Sequence, residues 1–213
     1  MVEVIVYVEG VSDKLAMEAL LRPLLEHKRQ QGISITFAEA PPGDKKESVL
    51  MRVPRQAINI LRNKPNAIVI AMPDLYPKNK LFPHETFDQL KAGIEHRFQA
   101  ALAAKQLQDD RLIERFKVFC FKYEMEALIL AAPQALALRL NTDKLDITWK
   151  IPVENQNHDT PPKIILEALF QHHHAKYKET VDSPLILGMA DYQQIAEACS
   201  QCFKPFVDFI KNL

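Results

Sequence analysis

Val4-Ile5-Val6-Tyr7-Val8-Glu9-Gly10-Val11-Ser12-Asp13-Lys14 is the stretch on which the fold turns. An apolar run rich in β-branched residues ends in one carboxylate and a glycine, and a polar helix start follows at once. Glu9 is therefore expected at the carboxyl end of a buried strand, where open α/β sheets place their ligand sites. Gly10 lets the backbone turn there without a Cβ in the way. Ser12 is expected to cap a helix whose apolar positions Leu15, Leu20, Leu21 and Leu24 recur at roughly helical spacing. A second apolar strand, Ala67-Ile68-Val69-Ile70-Ala71-Met72, delivers Asp74 in the same manner.

Outward from these two strands, strand-like and helix-like segments alternate. Expected strands lie at 2–8, 33–37, 67–72 and 116–121, and expected helices at 12–29, from about 45 to 63, and at 87–108. Pro54 inside the second helical pattern predicts a kink or a later start. The loop 73–86 holds Pro73, Pro77 and Pro83 and carries Asp74. This rhythm predicts an α/β fold, a mainly parallel sheet with helices on both faces. After residue 122 the character changes. Residues 124–140 read as helix broken at Pro133, residues 141–162 are irregular and include Pro152, Asn157 and Pro161, and 163–213 read as short helices. The expected division is an α/β core over 1–140 and, over 141–213, an irregular segment and helical C-terminal extension packed on that core.

With 213 residues the chain suits one large domain, or a core domain with a helical appendix. Lysine and arginine number 27, as do aspartate and glutamate, so a strongly basic coat is excluded while a local basic face is not. No apolar stretch approaches the roughly 18 residues of a membrane span. The three cysteines leave one unpaired under any bridging scheme, which fits a reducing compartment. The chain opens directly into a strand with no basic segment or cleavage site, and the expected location is the cytoplasm.

A third acidic element, Lys122-Tyr123-Glu124-Met125-Glu126-Ala127-Leu128, follows the fourth strand. If all four strands are parallel, its glutamates fall at the same end of the sheet as Glu9 and Asp74. On a helix Glu124 and Glu126 would diverge by about 200°, so at most one could face a shared site. Carboxylates brought together resist ionisation unless a cation neutralises them. Mg²⁺ suits such a place, because it takes one or two carboxylates and waters while bridging substrate phosphates. That arrangement supports phosphoryl transfer.

Val8-Glu9-Gly10-Val11-Ser12-Asp13-Lys14, followed by an apolar strand ending in Asp74, resembles a Toprim domain. This metal-binding α/β module occurs in topoisomerases, primases, small maturation nucleases and the overcoming-lysogenization-defect nucleases. The chain is more closely similar to a bacterial family of unknown function with a Toprim-like core. It shares with that family the Val-Glu-Gly start, Asp74-Leu75-Tyr76 and the Glu-x-Glu-Ala-Leu segment at Glu124 to Leu128. A tail pattern at Pro162-Lys163, Tyr177-Lys178 and around Cys199, Phe203 and Phe206 matches as well. The resemblance implies that Glu9 is a general acid/base or metal-positioning group and Asp74 a metal ligand, with Glu124 or Glu126 supplying the remaining acidic contact. The expected catalytic set is thus Glu9, Asp74, Glu124 and Glu126, with Mg²⁺ or Mn²⁺ on Glu9, Asp74 and Glu126. It further implies a nuclease acting on nucleic acid, DNA ahead of RNA, with an ATPase partner and a role in phage defence or DNA processing. One departure counts against this: many Toprim domains place a second aspartate two residues after the first, and here Tyr76 stands there.

Basic groups should accompany a phosphate site. Lys45 and Lys46 follow Pro-Pro-Gly-Asp at an expected helix start, where backbone N–H groups favour anions. Lys163 and Lys178 of the tail are the other expected phosphate contacts, and Lys78, Lys80 and Lys122 lie near the acidic ends in sequence. His172-His173-His174 cannot share a helix face, which makes a common metal site geometrically poor. Cys199-Ser200-Gln201-Cys202 has no second cysteine pair and no thioredoxin-like context, so packing is its expected role. No P-loop is present, and with 5 glycines no Rossmann fingerprint either. Two rivals to the nuclease remain: a non-catalytic interaction subunit on the same fold, favoured by Tyr76, and a nucleotide-binding regulator.

Overall fold

The computed structural model describes residues 1–79, 82–156 and 159–213. Its sheet has four strands, β1 (Val2–Val8), β2 (Ile33–Glu39), β3 (Ala67–Ala71) and β4 (Phe116–Val118), in the order β2-β1-β3-β4. Every pairing is parallel. Val4, Val6 and Val8 of β1 and Val69 and Ile70 of β3 are fully buried, as expected where both faces of a parallel sheet are covered. The expected α/β fold with a parallel sheet is what forms. β4 is shorter than the apolar run 116–121 suggested, ending at Val118.

By contacts the chain falls into two compact units, whereas the expected core over 1–140 was a division by sequence alone. One unit comprises Met1–Gly10 and Leu25–Cys120, the other Val11–Leu24 and Phe121–Leu213.

The first unit holds the sheet. Ile33 to Glu39 pairs on one side of β1 and Ala67 to Ala71 on the other, so β1 is central. Asp44 opens the short helix α3 (Lys45–Glu47), a π turn follows at Ser48–Arg52, and α4 (Val53–Asn63) then runs regularly. Pro54 sits in the first turn of α4, where its missing N–H costs nothing, so the late start expected from Pro54 is realised and no kink is needed. α4 packs on β3 and on α5 (Phe87–Ala104), and a short α6 (Asp110–Glu114) leads into β4. The helix expected over 87–108 ends earlier, at Ala104, and Gln106 then turns into the left-handed region at φ 55°.

The second unit is helical. α1 (Val11–Leu20) packs on α10 (Glu179–Gly188). The single helix expected over 12–29 is two, with α2 (Arg22–Gln30) restarting beside Pro23. Ser12 lies inside the first turn of α1 rather than before it, and Leu15 is turned outward while Ala16, Met17 and Leu20 are buried. α7 (Glu126–Leu130) and α8 (Pro133–Arg139) take the place of the broken helix over 124–140. α9 (Pro162–His172), α11 (Tyr192–Ala198) and α12 (Phe203–Lys211) complete the unit, with Leu166, Leu169, Phe170, Phe203 and Phe206 in its core. Among the described residues no helix is long and apolar enough to cross a membrane.

Candidate functional site

Parallel register brings the first two acids together. Tyr7 pairs with Ala71, and the ladder continues beyond the strands through Met72 N–H donating to Tyr7 O at 2.9 Å. Glu9 and Asp74 therefore leave the carboxyl ends of adjacent strands at nearly the same height. Glu9 Oε1 accepts the backbone N–H of Asp74 at 3.0 Å. Both side chains are half-buried. Next to them is Gly10, where a Cβ would lie 3.2 Å from Lys45 Nζ. The missing side chain lets an ammonium group approach this end of β1, so one predicted phosphate lysine stands at the residue after Glu9. Lys46 is instead buried. Asp44 accepts the Glu47 N–H at 2.8 Å, so a donor at this helix start, expected to serve an anion, is taken by the chain's own carboxylate.

The loop carrying Asp74 is pinned by residues that the sequence did not single out. His84 is buried, its Nε2 2.9 Å from Leu75 O and its Nδ1 2.8 Å from Phe82 O. A Cβ on Gly93 would lie 1.5 Å from Phe82 Cζ, so this glycine in α5 makes the room in which the Phe82 ring seats. An isolated histidine in a proline-rich loop and a glycine inside a helix are weak signals alone, because only the folded loop pairs them. Tyr76, two residues after Asp74, is half-buried with Lys78 Nζ 5.9 Å from its ring centre. Lys78 itself is paired with Glu85. Lys80 lies outside the described residues, as does Asn157 of the irregular segment.

Glu124 and Glu126 belong to the second unit and have different surroundings. Glu124 Oε2 accepts the backbone N–H of Lys163 at 3.1 Å, placing a carboxylate on the first turn of α9, where the helix dipole favours it. Lys163 Nζ pairs with Glu179. Burial raises the Glu124 carboxyl above its ordinary value, against the pull of the Lys163 N–H and charge. Glu126 opens α7 and is only 6% exposed. Its Oε1 accepts the Tyr177 hydroxyl at 3.4 Å, and that hydroxyl is 2.7 Å from Ser183 Oγ. Burial, reinforced by the charges of Glu124, Asp13 and Glu179, pushes Glu126 up to about 8. Lys178 is exposed, and its backbone N–H donates to Asp182 at 2.6 Å.

One further buried carboxylate, Glu154, was not anticipated. Glu154, 1% exposed, accepts the N–H of Gln201 at 2.6 Å, of Cys202 at 2.8 Å and of Phe203 at 3.4 Å. It therefore caps α12 from a distant part of the chain, which sequence spacing cannot reveal. Cys199 and Cys202 are both buried and unbridged, and burial pushes the Cys199 thiol up, leaving it inert at neutral pH.

The donor chemistry of Glu9 and Asp74, two hard-oxygen carboxylates at the ends of adjacent strands, is of the kind Mg²⁺ or Mn²⁺ takes. Among the described residues no group of three or more His, Cys, Asp or Glu side chains could hold a metal ion.

A family model described as a domain of unknown function, DUF4276, matches residues 8–211. No curated protein matches the chain. Among solved structures, the chain is similar to the C-terminal region of the Burkholderia pseudomallei OLD protein, with 14% sequence identity and a TM-score of 0.48, over 100% of this chain and 98% of that one.

Proposed function

This chain belongs to the family described as a domain of unknown function, DUF4276, and from that premise we propose that it is a Mg²⁺- or Mn²⁺-dependent nuclease of Toprim type. The observation that carries the reading is the Glu9–Asp74 contact at the carboxyl ends of the two central parallel strands, with Lys45 beside Gly10. Glu9 and Asp74 would hold the ion, and Lys45 would meet a phosphate oxygen. A bound divalent ion supplies charge neutralisation at the phosphate and an activated water. The hydrogen bond from the Asp74 N–H holds the Glu9 carboxylate at the end of β1.

Glu124 and Glu126 form a second acidic element, tested separately by Glu124→Gln and Glu126→Gln. Lys163 acts in this reading through Glu179 rather than as a free phosphate contact. DNA as the preferred substrate, an ATPase partner and a role in phage defence or DNA processing come from the Toprim resemblance and belong to the proposal on that ground.

A second reading, a non-catalytic interaction subunit, is favoured by Tyr76 at the second acidic position. The test is cleavage of supercoiled plasmid and single-stranded DNA with Mg²⁺ or Mn²⁺, beside Glu9→Gln. Metal-dependent cleavage that disappears in the variant supports the nuclease. Cleavage that survives in both Glu9→Gln and Asp74→Asn removes the mechanism, and metal-independent DNA binding without cleavage, alone or with the partner, favours the subunit.

A further inference from the structure

We propose that the groove between α4 and α5 binds the phosphate backbone of duplex nucleic acid. Arg52, Arg55, Arg97 and Lys105 line this cavity of about 630 Å³, together with the amides of Gln56 and Asn59. No carboxylate and no aromatic side chain is among its lining residues. The assignment rests on the nuclease reading for its substrate class and adds where that substrate lies.

Charge segregation is the leading observation. The chain as a whole is neutral, with 27 basic and 27 acidic residues. Residues 48–73 nonetheless contain no aspartate or glutamate, and neither do residues 96–108, which supply the α5 side of the groove. A helix face that only needs solvation mixes both signs, whereas this groove is lined by one sign alone. Ala100, Ala101 and Ala104 keep its α5 wall low, so a backbone can approach closely.

The groove also has a direction. Pro41 and Arg52 stand at its upper end, after the carboxyl end of β2, and Arg52 is anchored there by donating to Pro42 O. In a parallel sheet this is the same end at which Glu9 and Asp74 emerge. α4 runs back from that end, and the lower end is marked by Lys105, whose Nζ donates to Asn59 Oδ1 at 3.1 Å. Arg97 and Lys105 are about 12 Å apart along α5 at the rise of an α-helix, room for more than one phosphate. The result is a line of positive charge and amide donors leading away from the acid pair.

Residue chemistry selects the ligand. Arginine, lysine, asparagine and glutamine are the side chains that hold phosphate and sugar oxygens without reading bases. Unpaired bases ask for aromatic platforms, and a mononucleotide site likewise seats its base on apolar or aromatic walls. Their absence here favours a duplex backbone over a single strand or a free nucleotide.

The experiment is anisotropy of a short, labelled, random-sequence duplex with the full chain in chelator, over roughly 50 to 200 mM salt. The triple variant Arg55→Ala, Arg97→Ala, Lys105→Ala leaves Arg52 and its loop contact in place, and a matching Lys/Lys/Arg triple preserves charge. The alanine triple is expected to bind about 10-fold more weakly or worse and to lower the log–log salt slope by about two to three, near 0.9 per lost phosphate contact. The charge-preserving triple should keep the slope. Wild-type affinity and slope in the alanine triple, or tighter wild-type binding of single strands or mononucleotides than of duplex, would overturn the proposal. Groove-dependent binding without cleavage in Mg²⁺, alone or with the ATPase partner, leaves the groove standing and removes the nuclease. Cleavage that depends on Glu9, with binding indifferent to the triple, does the reverse.

Discussion

The two acidic regions of this molecule contain the same residue type and present it in opposite ways. Glu9 and Asp74 stand half-buried at strand ends, brought to one level by parallel register and linked through a backbone N–H. Glu126 is enclosed among helices with Glu124, Asp13 and Glu179 nearby, and burial together with those charges holds its proton up to about 8. An acid at a half-exposed sheet edge keeps its charge more easily, because water still solvates it. An acid buried beside other acids lowers its energy by keeping a proton. Sequence proximity to a strand end is common to both regions, so it cannot by itself tell a half-exposed carboxylate from an enclosed one that keeps its proton.

The largest effect expected on this comparison is on activity. Glu9→Gln and Asp74→Asn should each lower metal-dependent cleavage by at least about 100-fold, since several kcal/mol of charge stabilisation depend on the ion. Their melting temperatures should stay near wild type, because both groups are half-exposed. Retained cleavage in both variants would break the contrast at its functional end.

On the buried side, Glu126 predicts a pH dependence. Its folded value of about 8 lies above the ordinary glutamate value of 4.5, so folding takes up a proton between the two. The stability contributed by the protonated form is fully present below about 4.5 and is lost as the pH rises towards about 8. Glu126→Gln removes that loss. Denaturant titrations at pH 5 and pH 8 should show the variant gaining on wild type at the higher pH, by up to about 4 kcal/mol. A wild type as stable relative to the variant at pH 8 as at pH 5 would mean that Glu126 ionises without penalty.

Glu154 sharpens the same point, because it is as buried as Glu126 but meets three backbone N–H groups. Glu154→Ala should cost about 3 kcal/mol by orphaning those donors at the start of α12, measured by denaturant unfolding. A loss below about 0.5 kcal/mol would show that water replaces the carboxylate.

The smallest effect concerns the support under Asp74. Gly93→Ala favours α5 by up to about 1 kcal/mol in helix propensity but drives a Cβ into Phe82. The expected outcome is little net change in melting temperature with faster amide exchange across 75–79 and 82–86. Unchanged exchange would show that Phe82 does not hold the loop.

Much of the first unit was legible in the sequence. The runs around Val6 and Val69 are apolar over whole strand lengths, and each ends in a single carboxylate, so the parallel sheet and the pair Glu9 and Asp74 could be read from pattern. The acid-free stretch 48–73 was equally visible, but its value depends on α5 lying beside α4. Helix ends were read less well. Leu15 fits a helical period yet faces outward, because α1 turns Ala16, Met17 and Leu20 to its buried face. His84, Gly93 and Glu154 each act on residues distant in sequence or on a loop without periodicity, and no local signal announces them.

The sequence by itself therefore determined which elements form and which two strands end in acids, since period, β-branching and proline positions act over a few residues. The tertiary structure decided how those acids behave. Register set the Glu9–Asp74 contact, packing of α1 on α10 placed Asp13 in the helical unit, and enclosure there raised Glu126. The reason is physical: strand and helix propensity are local, but desolvation and charge–charge energy depend on what the rest of the chain brings near.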